Sequence, residues 1–599
     1  MNLKEAPNGT KWSFHLDNPD RVRHITDNGE CLCHEDKPTP RCVIEPKGTT
    51  TTRDIRGELE TAQVRYQFDP DKKFIPRSRY TKIMTPVRVL EIMYDLPCFK
   101  SRTPKQKQTL AQSICFGSDG QRPALKVFGA LILSKLEFEH DISEHLDNGL
   151  NDGCLPLKAD TSDSAEKLHC ECKSKNHIEI MNIGKYTPSD RESFLRSVHR
   201  LTAPYVAYQP DRHSHYVLDH GNCIPIKFSN DRTRMPSPER KNSRSKKTSN
   251  EQGGNPANGG YGGFSEVHRV QLYDSHCRLP DTGGYYALKK LTSHNRHDFE
   301  LELSSLLFSA DQNGDKRHLI HVLATFEERL NNLSTFYFLF DCAEGPLEYF
   351  WRTNTPLVGD MTHCLSMSAQ FLGLAKALEA IHNDRSNFPL PKDVTDPKNI
   401  YGRHGDIKPS NILYFRSSAG EGRLVLADFG LGRLHTKVSR SIQDPKLLSR
   451  TETYRSPEFD ILDGLVGPKA DVYSLGCVFL EHIGWFLLGA DFPDKFSDER
   501  LMKDMYGFEV DTFFTLIEQK KAVIKPAVEK SIADLKENKA CSWFLVQMLE
   551  LIEHQMLACD KENRIRATPL VKRLEDLHQG CQHSETFYTK SWKDCKCPV

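Results

Sequence analysis

Two stretches, GRHGDIKPSNILYF (402–415) and LVLADFGLGRL (424–434), decide how this 599-residue chain is read. In the first, Asp406, Lys408 and Asn411 stand within six positions, directly before the apolar run ILYF. In the second, the run LVLA leads straight into Asp428. Short apolar runs rich in branched and aromatic residues, separated by a polar loop, read as paired strands, and the distance between these two is the one a short hairpin requires.

Upstream, GGYGGFSEVHRV (259–270) begins as a glycine-rich turn and continues with the alternation of a strand. Gly260 and Gly262 let backbone amides approach the oxygens of a triphosphate without a Cβ in the way. Phe264 would cap such a loop, and Val267 would cover an adenine face. YYALKKL (285–291) reads as a further strand carrying Ala287 and Lys289. A buried lysine needs an anion, and Glu302, on an expected helix with Leu303 and Leu306 facing inward, is the candidate. Singly, each of these features fits an ordinary hairpin, a surface lysine or a solvated glutamate.

Together and in this order they resemble the protein kinases. His404-Gly405-Asp406-Ile407-Lys408-Pro409-Ser410-Asn411 is similar to the H-R-D-x-K-x-x-N catalytic loop, and Asp428-Phe429-Gly430 to D-F-G. Ala287-Leu288-Lys289 is similar to the end of V-A-I-K, with Ser265 at the third glycine of the G-x-G-x-x-G loop. Thr451 to Glu458 resembles the end of an activation segment, Asp471 the aspartate that anchors the catalytic loop, and Arg564 the arginine that pairs with Glu458.

The resemblance implies a bilobal α+β kinase fold that takes ATP and magnesium. It implies Asp406 as base, Lys408 as phosphate contact, and Asn411 and Asp428 as metal ligands. Phe340 would lie behind the adenine, and the backbone from Asp341 to Ala343 would hydrogen-bond it. Lys408 and Thr451 resemble serine/threonine kinases, so protein substrates are implied. A narrower resemblance, to a group of filamentous-fungal kinases, rests on GRHGDIKPSNIL, SAQFLGLAKALEAIHN (368–383) and DGCLPL (152–157).

Two departures qualify the match. Gly405 replaces the arginine that in many kinases pairs with a phosphorylated activation segment. Catalysis is therefore expected not to need phosphate on Ser439, Ser441, Ser449 or Thr451. The strand that should precede Gly260 gives way to a polar segment, for which CIPIKF (223–228) is the substitute candidate. A pseudokinase scaffold and a small-molecule phosphotransferase, whose H-G-D loop suits Gly405, stand as the alternatives.

The rest of the chain divides by composition. Residues 1–54 read as a disordered leader, 55–228 as a mostly helical region, regulatory or docking in role, and 229–256 as a disordered basic linker. The kinase unit takes 257–578 (N-lobe 257–343, C-lobe 344–578), followed by a polar tail, 579–599. In the helical region Ser189 and Glu192 have capping-box spacing before a stripe of Phe194, Leu195, Val198 and Leu201.

Lysine plus arginine and aspartate plus glutamate number 81 each, so no global field argues for nucleic acid or an anionic membrane. The first thirty residues predict no secretory signal, and CVFLEHIGWFLLGA (477–490) is too short for a membrane span. These readings favour an intracellular chain, cytoplasmic rather than nuclear. Three C-x-C pairs (Cys31/Cys33, Cys170/Cys172, Cys595/Cys597) lack the C-x2-C spacing of structural zinc sites.

Overall fold

The run FYFLF (336–340) is apolar at every position because the sheet that contains it is covered on both faces. Phe336, Phe338 and Phe340 join one core, while Tyr337 and Leu339 join another. A strand buried on both sides loses the alternation of a half-exposed one.

The computed structural model describes residues 13–14, 50–117, 122–136, 142–160, 167–170, 186–209, 212–219, 221–228, 261–262, 265–280, 284–308, 316–330, 333–354, 361, 363–383, 403–416, 422–428, 453–462, 464, 466–505 and 507–594. The basic cluster at 240–247, Gly260, Phe264, Phe429-Gly430 and the four activation-segment phosphosites lie outside these.

The main sheet has eight strands: β1 (Ser13–Phe14), β2 (Ser214–Leu218), β3 (Ile226–Phe228), β4 (Tyr261–Gly262), β5 (Ser265–Leu272), β6 (Tyr286–Leu291), β7 (Val322–Leu330) and β8 (Leu333–Asp341). Their order is β1-β2-β7-β8-β6-β5-β3, with β4 also beside β5. β2 runs parallel to β7, whereas β7, β8, β6, β5 and β3 pair in antiparallel succession. β3 and β4 occupy the same edge of β5, with Phe228 opposite Val270 and Tyr261 opposite Glu266. The first strand of the glycine hairpin is thus built from two pieces, and CIPIKF supplies one of them. Residues 214–228, grouped by composition with the N-terminal region, are hydrogen-bonded into the kinase sheet.

Between β1 and β2 in the chain lie α1 (Thr52–Thr61), α2 (Arg77–Ile83), α3 (Pro86–Asp95), α4 (Pro104–Phe116), α5 (Leu125–Leu133), α6 (Ser143–Asp147) and α7 (Pro188–Leu201). They enclose their own core around Val89, Phe99, Phe128, Leu131 and Phe194. The expected cap of α7 is corrected. Thr187, not Ser189, is the N-cap, and its hydroxyl and Asp190 exchange hydrogen bonds in a capping box. Pro188 then takes the first helical position, where its missing N–H costs nothing. The expected stripe does face inward, with Phe194, Val198 and Leu201 buried and Leu195 at its margin.

This N-terminal region covers the outer face of the sheet. Tyr66, Phe74, Tyr216 and Ile224 pack against Val270, Leu288, Tyr337 and Leu339, and Lys72 pairs with Glu328 of β7. On the opposite face lies α8 (Arg296–Phe308). Below the sheet, α9 (Leu347–Thr353) and α10 (His363–Asn383) lead to the small sheet of β9 (Gly345–Pro346), β10 (Ile412–Phe415) and β11 (Arg423–Leu426). The sequence hairpin is therefore β10 and β11, with Ile412 opposite Leu426. The lower core is centred on α11 (Lys469–Leu488), followed by α12 (Phe492–Arg500). α11 is long and apolar enough to cross a membrane by composition, but 94% of its most apolar window is buried inside the fold.

Candidate active site

Hairpin geometry brings the residues before β10 beside the residue after β11. Antiparallel pairing sets Ile412 opposite Leu426, and Ala427 N–H donates to Asn411 O at 2.9 Å. Asp428 therefore lies next to the loop that carries Asp406, Lys408 and Asn411. Within that loop the Asn411 Nδ2 donates to both the backbone oxygen and Oδ2 of Asp406, each at 2.8 Å. Lys408 Nζ lies 2.8 Å from the same Oδ2.

The loop is held from below by Asp471, at the start of α11. Its Oδ1 accepts the Gly405 N–H and its Oδ2 the His404 N–H, both at 2.8 Å. His382 Nε2, from the end of α10, is 2.9 Å from Oδ2. Burial would raise the Asp471 carboxyl, but His382 together with His404 and Arg403 brings it below the ordinary carboxylate range. Gly405 sits at φ +82°, in the left-handed region where a side chain is strained and glycine is not. From the sequence, Gly405 was a lost arginine or a member of an H-G-D loop, and His382 was not singled out. A histidine at the end of the preceding helix was its available signal.

From above, β6 delivers Lys289. Register sets Val267 opposite Lys289 and Ala287 opposite Phe340, so these four share the sheet face that carries α8 and lines the cleft. Lys289 Nζ is 2.8 Å from Glu302 Oε1 on α8 and 2.8 Å from Asp428 Oδ1. Burial alone would lower the Lys289 ammonium pKa, but the two carboxylates outweigh it and raise it well above the usual lysine range. The same lysine holds the Asp428 carboxyl below its ordinary value. Asp428 is itself at φ +62°, a conformation that costs a non-glycine residue free energy and that clusters at functional sites.

The remaining sequence candidates fall around this centre. Gly262 and Ser265 face each other across the β4–β5 turn. Asp341 ends β8, and Ala343 is buried just beyond it. Asp341 Oδ1 has no hydrogen-bond partner among the described residues, and burial pushes its carboxyl up against the pull of Arg423. Lower down, Arg564 Nη2 lies 2.8 Å from Glu458 Oε1, both buried. Tyr454 donates to Glu481 Oε2 at 2.7 Å, and Glu481 Oε1 is 3.0 Å from Arg500.

A family model described as the protein kinase domain matches residues 260–573, more than half of the chain. The chain belongs to the protein kinase family. Among curated relatives it is 30% identical to mouse homeodomain-interacting protein kinase 4 over 208 residues, which is 34% of this chain and 29% of that protein. It is 28% identical to cyclin-dependent kinase E-1 of Arabidopsis thaliana over 145 residues, 24% of this chain and 27% of that one. With the PR5-like receptor kinase of the same plant it shares 24% over 347 residues, 55% of this chain and 46% of the relative. The matched part of the chain spans less than a third of the first of these relatives.

As a kinase domain the fold implies ATP and, with it, magnesium. The donor set fits. Asn411 turns its NH2 group toward Asp406, which leaves the amide oxygen, the atom that suits a hard cation, for the metal. Asp428 offers a carboxylate on the same side of the loop.

Proposed function

We propose that the chain is a serine/threonine protein kinase, transferring the γ-phosphoryl group of ATP to a hydroxyl of a protein substrate. The observation that carries this reading is Lys289, held at 2.8 Å by both Glu302 and Asp428. One lysine so held links the upper sheet, α8 and the lower lobe, and it presents a fixed cation where nucleotide phosphates are received. Asp406 orients the attacking hydroxyl and accepts its proton. Lys408, 2.8 Å from that carboxylate, offsets charge on the group in flight. Asn411 and Asp428 would hold the metal, which would offset negative charge on the phosphates. Val267, Ala287 and Phe340 enclose the base, and the backbone of Asp341 to Ala343 reads its edge. Gly260, Gly262 and Ser265 form the loop over the phosphates.

Lys408 and the Thr451-to-Glu458 pattern support the serine/threonine class and a protein substrate. The same reading places the catalytic unit at 257–578, gives the N-terminal region a regulatory or docking role, sets the protein in the cytoplasm and groups it with filamentous-fungal kinases. Purified chain with ATP and magnesium should label a generic basic protein and not small alcohols. Asp406→Asn should lower that rate by about 10²- to 10⁴-fold, the usual worth of a positioned base. An unchanged rate in this variant would sink the proposal.

A further inference from the structure

Glu302 reaches Lys289 only if α8 keeps one rotation and one height against the sheet. Phe299, three residues earlier on the same helical face, fixes both. Its ring stacks on Phe336 with centroids 4.5 Å apart and planes 11° apart, and it lies 5.3 Å from Phe338. A further neighbour of this ring comes from outside the matched kinase domain. It is His215 of β2, 5.3 Å away and as buried as Phe299 itself.

His215 is itself fixed. Its Nδ1 lies 2.8 Å from Thr325 Oγ1 and its Nε2 3.4 Å from Glu327 Oε2, both partners on β7. The Glu327 carboxylate also accepts from Arg329 Nε at 2.9 Å and Ser334 Oγ at 2.9 Å. Its fourth partner is Arg296, the first residue of α8, whose Nη1 lies 3.0 Å from Oε2. Burial works to raise this carboxyl, yet His215, Arg329, Ser334 and Arg296 together keep it far below the ordinary range, so Glu327 is a buried anion. One carboxylate therefore ties β2, β7, β8 and the N-terminus of α8 into a single node. Buried charges of this kind are costly to leave half-paired, which gives the node one preferred arrangement.

We propose that His215 is a positioning residue for phosphoryl transfer: through the Phe299 ring and the Glu327 node, a strand from the N-terminal region holds α8 so that Glu302 stays on Lys289. This rests on the kinase reading above. The N-terminal region then acts as a built-in brace for α8, and its coupling to the active site runs through contacts on β2, β7, β8 and α8.

The test uses the full-length chain with His215→Ala and, as a second variant at the half-exposed side of the node, Arg296→Ala. An aromatic contact of this kind is worth about 0.5–1.5 kcal/mol, so kcat should fall about 2- to 13-fold in His215→Ala. The KM for protein substrate should not change. In a Glu302→Gln background neither variant should lower kcat further, because both act through Glu302. Hydrogen exchange at the amides of Glu300 to Leu303 should speed up in both variants, while α11 stays protected. Equal losses of kcat in the two backgrounds would make His215 a merely structural residue and overturn the proposal. So would unchanged exchange in α8, whether or not the chain is active. Faster α8 exchange in a parent chain that transfers no phosphate would uphold the brace and defeat the kinase reading instead.

Discussion

Gly405 shows how much one residue can carry. With φ at +82° and its N–H on Asp471, it takes its place in the loop without any side chain, and the loop is held by Asp471, which His382 in turn contacts. A kinase with glycine at the position whose arginine binds an activation-segment phosphate gains nothing at that position from the phosphate. Phosphatase-treated protein should therefore transfer phosphate as fast as untreated protein, and a large loss on treatment would contradict this. His213 supports a second expectation. Burial, reinforced by His215 and His321, lowers its pKa from 6.5 to about 3. The folded state then binds fewer protons than the unfolded chain between those values, so stability is full above the unfolded pKa and falls as pH drops through the window. The slope for one such group approaches about 1.4 kcal/mol per pH unit. Unfolding free energies measured from neutral pH down through 6.5 should decline less steeply in His213→Asn than in the parent. At this scale the grouping of the site was largely legible: Asp406, Asn411, Asp428 and Lys289 lie together as the kinase resemblance implied, because those residue types recur in one order along the chain. His382 and His215 were not legible, since a histidine's role depends on what packs against it.

Elements were legible where local pattern and tertiary setting agree, and opaque where the chain departs from colinearity. ILYF and LVLA announce β10 and β11, and α7 was found from its stripe although its cap lies two residues earlier than expected. The first strand of the glycine hairpin was legible in part: CIPIKF was its candidate, but its continuation by Tyr261–Gly262 was not foreseen, because the two halves are far apart in sequence. The register defines the relation between them. Extending the β3–β5 pairing beyond Phe228 would bring residue 231 opposite Val267, and extending β4 back by one residue brings Gly260 to that same place. A chain lacking residues 231–259 would join Asn230 to Gly260 with every cross-strand pair preserved. Loop closure costs grow only slowly with length, so this shortening should leave thermal stability unchanged or slightly improved and should retain ATP-dependent labelling. Loss of ATP binding in a folded deletion variant would show instead that the intervening residues belong to the nucleotide site.

On the scale of the whole molecule, the N-terminal region and the kinase sheet form one structural body. The uninterrupted FYFLF run was a sign of this in the sequence, because a sheet with one face in water would have alternated. Composition could not say which segment covers the second face, since tertiary partners leave no local signature. Tyr66, Phe74, Tyr216 and Ile224 do so, against Val270, Leu288, Tyr337 and Leu339. β2 also pairs along the edge of β7, which would otherwise present open backbone groups to other chains. A chain beginning at Gly260, where the family match starts, loses β2, β3 and all of that cover. Each large apolar side chain so exposed forfeits about 1.5–3 kcal/mol of burial, which summed over the face exceeds the stability of an ordinary domain. Such a chain should aggregate or fail to give a cooperative unfolding transition, whereas one that retains residues 50–594 should elute as a compact species. A soluble, cooperatively folded and active 260–594 chain would show that the catalytic unit needs neither the cover nor the brace on α8.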